Sequence, residues 1–272
     1  MQYEPIKKLL GRFFTGSLFL RKTFYFLLDL LLLRTWYVKK ALRKISRQYS
    51  GEASVLDAGS GFGQYTWRMS RMNSRWKFKS IDINKEQIDD CNIFFGKAGL
   101  SDRVSFNTCD LTTLNDIGCY DIILSVDVME HIEEDKLVFK NFYKSLKNNG
   151  ILLISTPSDK GGSDVRSEEE KSFIDEHVRN GYSINDLTEK LSIAGFRAIE
   201  AGYTYGKPGN ISWRLSMKYP IKMLNVSYLF FLLLPFYYLI FSPVSIILNI
   251  FDLCLTHKTG TGLLVIARKQ EK

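Results

Sequence analysis

Hydrophobic and polar positions divide the 272-residue chain into three regimes. Residues 9–38 are dense in leucine, phenylalanine and tyrosine, but Arg12, Arg21, Lys22, Asp29 and Arg34 interrupt them. The charge-free runs are all far shorter than the ~20 apolar residues that span a bilayer. This pattern predicts one or two amphipathic helices, lying in a membrane interface or covering a cleft. In the second regime short apolar runs alternate with stretches of helical period. Residues 55–58, 77–83, 104–107, 121–126 and 150–156 read as strands, with helices from about Gln64, over 85–96 and over 135–146. Residues 158–170 are polar and read as a loop. A helix over 185–194 follows, started by Ser183 and ended by Gly195, and a sixth strand over 196–205. In the third regime, residues 226–251 are apolar and as a single helix would reach about 39 Å, enough to cross a bilayer. Pro235 and Pro243 each remove a helical hydrogen bond, which predicts a bent hairpin of short pieces. Residues 261–268 read as a closing strand.

Alternating strand and helix predicts an α/β domain, a parallel sheet with helices on both faces and its ligand at the carboxyl ends of the strands. Charge separates the regimes further. Residues 1–50 carry a net +9 and residues 207–272 a net +6, leaving −7 for the middle, within an overall +8. The region that carries the candidate site thus has no net basic charge, which argues against nucleic acid as the partner. It favours an anionic membrane surface. The run Lys39, Lys40, Arg43, Lys44 and Arg47 suits anionic headgroups, or forms an ordinary solvated face. Four cysteines without paired spacing predict reduced thiols in a cytosolic setting. They make no ligand cluster with His131, His177 and His257, so no metal site is expected. No cleavable secretory signal is expected either.

The candidate chemistry starts at V-L-D-A-G-S-G-F-G, residues 55–63. Gly59, Gly61 and Gly63 allow a tight turn that a ligand can approach, and the helix after it aims its amides at the same spot. Such a turn holds a nucleotide-like cofactor, or merely packs a strand on a helix. Asp82 ends the second strand 25 residues after Asp57, at a distance suited to a ribose diol. Cys109-Asp110-Leu111 follows the third strand, and D-V-M-E-H-I, residues 127–132, follows the fourth.

Glycines spaced G-x-G-x-G, with these steps in this order, resemble the class I S-adenosylmethionine-dependent methyltransferases over residues 49–205 and the closing strand. The resemblance implies a doubly wound, mostly parallel seven-stranded sheet whose last strand is antiparallel. The catalytic domain would then comprise 49–206 plus 259–270, with hydrophobic helices over 1–48 and a hydrophobic helical insertion over 207–258. Both ends of that insertion would lie on one side of a bilayer, which excludes a single crossing. The implied cofactor is S-adenosyl-L-methionine. Asp57 with Gly59, Ser60, Gly61 and Gly63 would hold its amino acid part, and Asp82 its ribose. Ile83 would lie on the adenine face, Asp110 and Leu111 near the adenine amino group, and Val126 and the segment to His131 beneath the methionine. An acceptor hydroxyl or acidic carbon needs a base, and His131 and His177 are the candidates; each also reads as a histidine that caps a helix or fills a hydrogen-bond site. Glu130, Glu133, Glu134 and Asp135 read as the acidic first turn of a helix.

Two hydrophobic flanks point to a hydrophobic acceptor, such as a lipid, an isoprenoid phenol or a lipid-linked sugar, met at the inner, cytoplasmic face of the membrane by a peripheral or monotopic enzyme. The alternatives are a soluble metabolite with flanks used only for attachment, and a non-catalytic scaffold that binds the cofactor. A nicotinamide oxidoreductase fits the glycine spacing poorly.

Overall fold

The computed structural model describes residues 17–161 and 178–270. Two helices come first, α1 (Leu18–Leu31) and α2 (Leu33–Ser46), joined at Leu32, whose extended backbone breaks the helix. The domain follows as β1 (Ser54–Ala58), α3 (Gln64–Met72), β2 (Lys77–Asp82), α4 (Lys85–Lys97), β3 (Val104–Thr108), β4 (Tyr120–Val126), α5 (Asp135–Ser145), β5 (Leu146–Pro157), α6 (Ile184–Ala194) and β6 (Arg197–Thr204). After β6 come α7 (Lys207–Trp213), a π-helical segment Arg214–Lys218, α8 (Tyr219–Val226), a 3₁₀ segment Tyr228–Leu232, α9 (Leu234–Cys254) and β7 (Gly262–Arg268).

The strands form one seven-stranded sheet in the order β3-β2-β1-β4-β5-β7-β6. All neighbours are parallel except β7, which runs antiparallel to both β5 and β6. Strand order reverses between β1 and β4, the place at whose carboxyl ends such sheets hold their ligands. Side chains alternate across the sheet as a pleated strand requires. Val55, Phe78, Ile122, Leu124, Ile151 and Leu153 pack toward one helical layer with Met69, Phe94 and Phe95. Leu56, Ile81, Ile123, Leu152, Ile154 and Val265 pack toward Val138, Phe142, Leu187 and Leu191 on the other. Helix α2 belongs to the first layer, since Val38, Leu42 and Ile45 are buried in the same core. The domain's own sheet therefore orients the N-terminal helices.

Most expected elements lie where the periodicity put them, including the α6 start, where Ser183 Oγ accepts from the Asp186 N–H at 3.0 Å. The insertion is a correction. Residues 226–251 are not three proline-bounded pieces, because α9 runs unbroken through Pro243, and Pro235 lies in its first turn, where no hydrogen bond is lost. A hairpin exists, but α9 returns against α7 and the π-helical segment. Tyr237 and Tyr238 donate to the carbonyls of Leu215 and Ser216 at 2.8 and 2.9 Å, and Ser212 donates to the Ser245 carbonyl at 3.1 Å. Contacts on both sides of Pro243 keep the helix straight enough to continue.

Helix α9 is inverted. Its buried residues are Ser245, Asn249 and Asp252, a polar stripe at helical spacing, whereas Phe236, Leu239, Ile240, Val244, Ile247, Ile250 and Phe251 face outward. At the foot of the hairpin the Asp252 carboxylate is wholly buried and accepts from Tyr37 Oη at 2.7 Å and from the Gly209 N–H at 2.8 Å, with His257 Nε2 at 3.2 Å. This cluster ties α2, α7 and α9 together.

Candidate functional site

Strands β1, β2 and β4 deliver the site from below. The turn after β1 is fixed from beneath, as the Gly59 and Ser60 N–H groups both donate to the Ile81 carbonyl on β2, at 2.8 and 2.9 Å. Gly61 has φ +49°, and a Cβ there would meet nothing closer than Gln87 Oε1 at 3.8 Å. Only glycine keeps both this backbone and this open cradle. Gly59 differs, because a Cβ there would lie 2.2 Å from Val128 Cγ2. Gly63 caps α3 in the left-handed region.

The other expected residues fall into two groups. Asp82 stands beside the turn, with its Oδ2 accepting from the Gly61 N–H at 2.8 Å and its Oδ1 from the Asn84 N–H at 2.9 Å. Ile83, next to it, is 75 % exposed, an uncovered apolar surface at the strand end. The Cys109 N–H donates to the Asp82 carbonyl at 3.1 Å, which brings the third strand end alongside. Asp110 is exposed there and caps the 3₁₀ turn Leu111–Thr113, accepting from the Thr112 N–H at 2.8 Å. Leu111 and Val126 are buried. Asp57, by contrast, is enclosed: Thr66 Oγ1 donates to its Oδ2 at 2.6 Å, and Thr66 also meets Ser80 Oγ at 2.7 Å. His131 is half-buried at the end of the 3₁₀ turn Met129–His131, just past β4. His177 lies outside the described residues.

Burial pushes the Asp57 carboxyl up to about 6 from 3.8, against the hydrogen bond from Thr66. The folded chain therefore holds this proton more tightly than the unfolded chain does. Its contribution to stability is full below 3.8 and is lost as pH rises through about 6. Asp57→Asn is accordingly expected to gain stability relative to wild type across that window, measured by urea unfolding at a series of pH values. A difference that stays constant with pH would refute the assignment.

Two of the acids read as the first turn of a helix do lie in such turns, Asp135 in α5 and Glu130 in the 3₁₀ turn Met129–His131, but both are buried. Glu130 is fully buried in the 3₁₀ turn, its Oε2 accepting from Thr156 Oγ1 at 3.1 Å, and burial pushes its carboxyl upward. Its Oε1 has no hydrogen-bond partner among the described residues. Asp135 is buried at the start of α5, where Tyr182 Oη, Lys190 Nζ and Arg179 converge on its Oδ2, and they hold the carboxyl below its ordinary range. Both burials have one cause: the chain folds back after β5, and the Val178 N–H donates to the Glu130 carbonyl at 3.1 Å.

Sequence reasoning missed the residues that α1 and α2 bring to this place. Arg34 pairs with Asp127 at the end of β4, and Asp127 itself has φ +51°. The Arg34 N–H donates to Tyr205 Oη at 2.8 Å. Asp29 pairs with Arg68 and accepts from Gln64 Nε2 at 2.9 Å on the first turn of α3. Their only sequence signal is that charges interrupt an apolar run.

An open glycine cradle, a carboxylate beside it and an uncovered apolar side chain past the same strand fit the amino acid, ribose and base of an adenosyl cofactor. Ser60 Oγ, buried in the turn without a partner among the described residues, adds a polar group for such a ligand.

Comparison with known proteins agrees with this geometry. The sequence model of one family, described as a methyltransferase domain, matches residues 50–195. A ubiquinone biosynthesis O-methyltransferase of Rickettsia prowazekii is 24 % identical over 44 % of this chain and 46 % of its own length. Phosphoethanolamine N-methyltransferase 1 of Triticum aestivum is 34 % identical over 54 % of this chain and 29 % of its own. The chain thus spans less than half the length of these curated relatives. Among solved structures, phosphoethanolamine N-methyltransferase 2 of Haemonchus contortus, in complex with S-adenosyl-L-methionine, superposes with TM-score 0.60 at 19 % identity, over 81 % of this chain and 49 % of that one. A putative sarcosine dimethylglycine methyltransferase from Galdieria sulphuraria gives 0.59 at 16 %, over 88 % and 86 %. With strand order, glycine turn and family match in agreement, the chain belongs to the methyltransferase-domain family and carries the class I methyltransferase fold.

Proposed function

We propose that this protein is an S-adenosyl-L-methionine-dependent methyltransferase that docks on the anionic, cytoplasmic face of a membrane through its helical hairpin and methylates a hydrophobic acceptor drawn from that membrane. The observation that carries this reading is the inversion of α9, whose polar stripe is buried and whose apolar face is outside. By length and composition α9 could cross a bilayer. However, its hairpin leaves the sheet at β6 and returns at the neighbouring β7, so entry and exit share one side. Leu229, Leu232 and Leu239 are each more than 70 % exposed near the hairpin tip. Helix α1 packs beside α9 and exposes Phe19 and Phe26. Large apolar exposure of this kind marks a membrane or partner surface. Lys207 and Lys222 are exposed on the same hairpin and suit anionic headgroups.

The cofactor supplies a methyl group already activated on a sulfonium, so the protein's share is placement of the acceptor. A tight seam lined by Leu32, Leu33, Tyr205 and Trp213, with no room for a water molecule, lies between the α1–α2 junction and α7. Tyr205 also accepts from the Arg34 N–H, beside Asp127 at the β4 end. If α1 and α7 part along this seam, an acyl or isoprenoid chain entering there would bring its head to the carboxyl ends of the strands. The Rickettsia relative, named for ubiquinone biosynthesis, supports an acceptor of this class. The wheat relative, named for phosphoethanolamine, favours a second reading with a polar acceptor in solution.

Liposome flotation tests the docking. The protein should float with anionic vesicles and less with neutral ones, and salt should weaken but not abolish binding, because screening acts on charges and not on buried apolar area. Leu229→Glu with Leu239→Glu should abolish flotation. Protein that stays at the bottom of the gradient with both kinds of vesicle would end this reading. Mass spectrometry of lipid extracts with and without the gene, searched for species that differ by one methylene, distinguishes the two acceptor classes.

A further inference from the structure

Arg21 lies outside the residues that the family model matches, yet it is 1 % exposed and reaches the cofactor turn. Its Nη2 donates to the Phe62 carbonyl at 2.9 Å and approaches Cys91 Sγ at 3.5 Å, and its Nε donates to Tyr25 Oη at 2.9 Å. Asp90 on α4 neutralises it at 2.5 Å. The guanidinium also sits over the rings of Tyr25, Phe62 and Phe94, at 5.3, 5.7 and 5.5 Å. Tyr25, having accepted from Arg21, donates its own proton to the Phe62 carbonyl. One residue earlier, the Cys91 thiol donates to the Gly61 carbonyl at 3.6 Å.

These contacts fix two successive peptide planes. In a trans peptide the N–H points opposite to the preceding carbonyl. Tying the Gly61 carbonyl to Cys91 therefore turns the Phe62 N–H away from it, and no described residue accepts from that N–H. Tying the Phe62 carbonyl to Arg21 and Tyr25 turns the Gly63 N–H back into the turn, where it donates to the Ser60 carbonyl at 2.8 Å. Glycines at 61 and 63 leave this turn free to adopt other conformations unless something outside it fixes the planes.

We propose that Arg21 and Tyr25 are positioning residues of the S-adenosylmethionine site, holding the Phe62 carbonyl so that the glycine turn is set for the cofactor. Helix α1 is then part of the cofactor site, although the family domain begins after it. Asp29 on Gln64 and Arg68, and Arg34 on Asp127, extend the same hold to the start of α3 and the end of β4.

The test is calorimetric binding of S-adenosylmethionine and S-adenosylhomocysteine to the full chain, with melting temperatures taken in parallel. Tyr25→Phe removes only the hydroxyl, leaving the ring in its packing, and should weaken both ligands about five- to tenfold, the effect of one buried hydrogen bond. Arg21→Lys keeps the charge for Asp90 but loses the fork, and should weaken binding at least as much. Tyr37→Phe, in the Asp252 cluster away from the turn, serves as the control: it should lower the melting temperature and leave both affinities unchanged. If Arg21→Lys does not fold, Tyr25→Phe decides alone. Wild-type affinity in a folded Tyr25→Phe overturns the proposal, as does an equal loss in Tyr37→Phe, which would show general loosening.

Discussion

Asp252→Ala is expected to lower stability by about 3 kcal/mol, because the substitution leaves the Gly209 N–H buried without its acceptor and takes the charged partner from the Tyr37 hydroxyl, which keeps only the residue 252 carbonyl at 3.0 Å. For a chain of this size that corresponds to a fall in melting temperature of roughly 6–12 °C. Asp252→Asn retains one acceptor oxygen and should lose about half as much. The damage should be local first. Asp252 anchors the foot of the hairpin to α2, so limited proteolysis of the variant should cut between β6 and β7 well below the global transition. Scanning fluorimetry and a protease time course check both points. An unchanged melting temperature with an uncut hairpin would mean that the cluster does not hold the hairpin.

Asp82→Ala is expected to weaken binding of S-adenosylmethionine ten- to hundredfold while leaving the fold intact. Asp82 is half-buried at a strand end, and its loss frees the Gly61 and Asn84 N–H groups to solvent, so the stability effect should be small. Its contribution to the ligand is that of a charged hydrogen-bond acceptor, about 1.5–3 kcal/mol. Asp82→Asn, which keeps one acceptor, should lie between the two. Calorimetry on variants with native circular dichroism checks this, and wild-type affinity in Asp82→Ala would remove Asp82 from the cofactor site.

The parts of the fold that were legible in the sequence are those governed by local rules. Strand β1 with its glycine turn, Asp82 at the next strand end and the cap at Ser183 each depend on a few consecutive residues. Contacts between distant segments were not legible. Glu130 and Asp135 look like acids of a solvated turn until the chain after β5 packs over them. Arg21, Asp29 and Arg34 look like interruptions in an apolar run, because their partners, Asp90, Arg68 and Asp127, are 69, 39 and 93 residues further on. In the insertion, the prolines drew attention from a better signal. Ser245, Asn249 and Asp252 are the polar residues of the second half of α9 and share one face, which marks the side that meets protein.

That stripe has a thermodynamic consequence. Helices of soluble proteins usually dock by burying apolar area, and their docking carries the heat-capacity signature of water released from it. Helix α9 docks through the Tyr237 and Tyr238 hydroxyls, the Ser245 carbonyl and the Asp252 carboxylate, so separating it from α7 in water exposes little apolar surface and should add little to the heat capacity of unfolding. Water is also the strongest competitor for those polar groups, and an acyl environment offers them no alternative partners. On a membrane the hairpin would therefore be held more firmly to the rest of the protein than in solution.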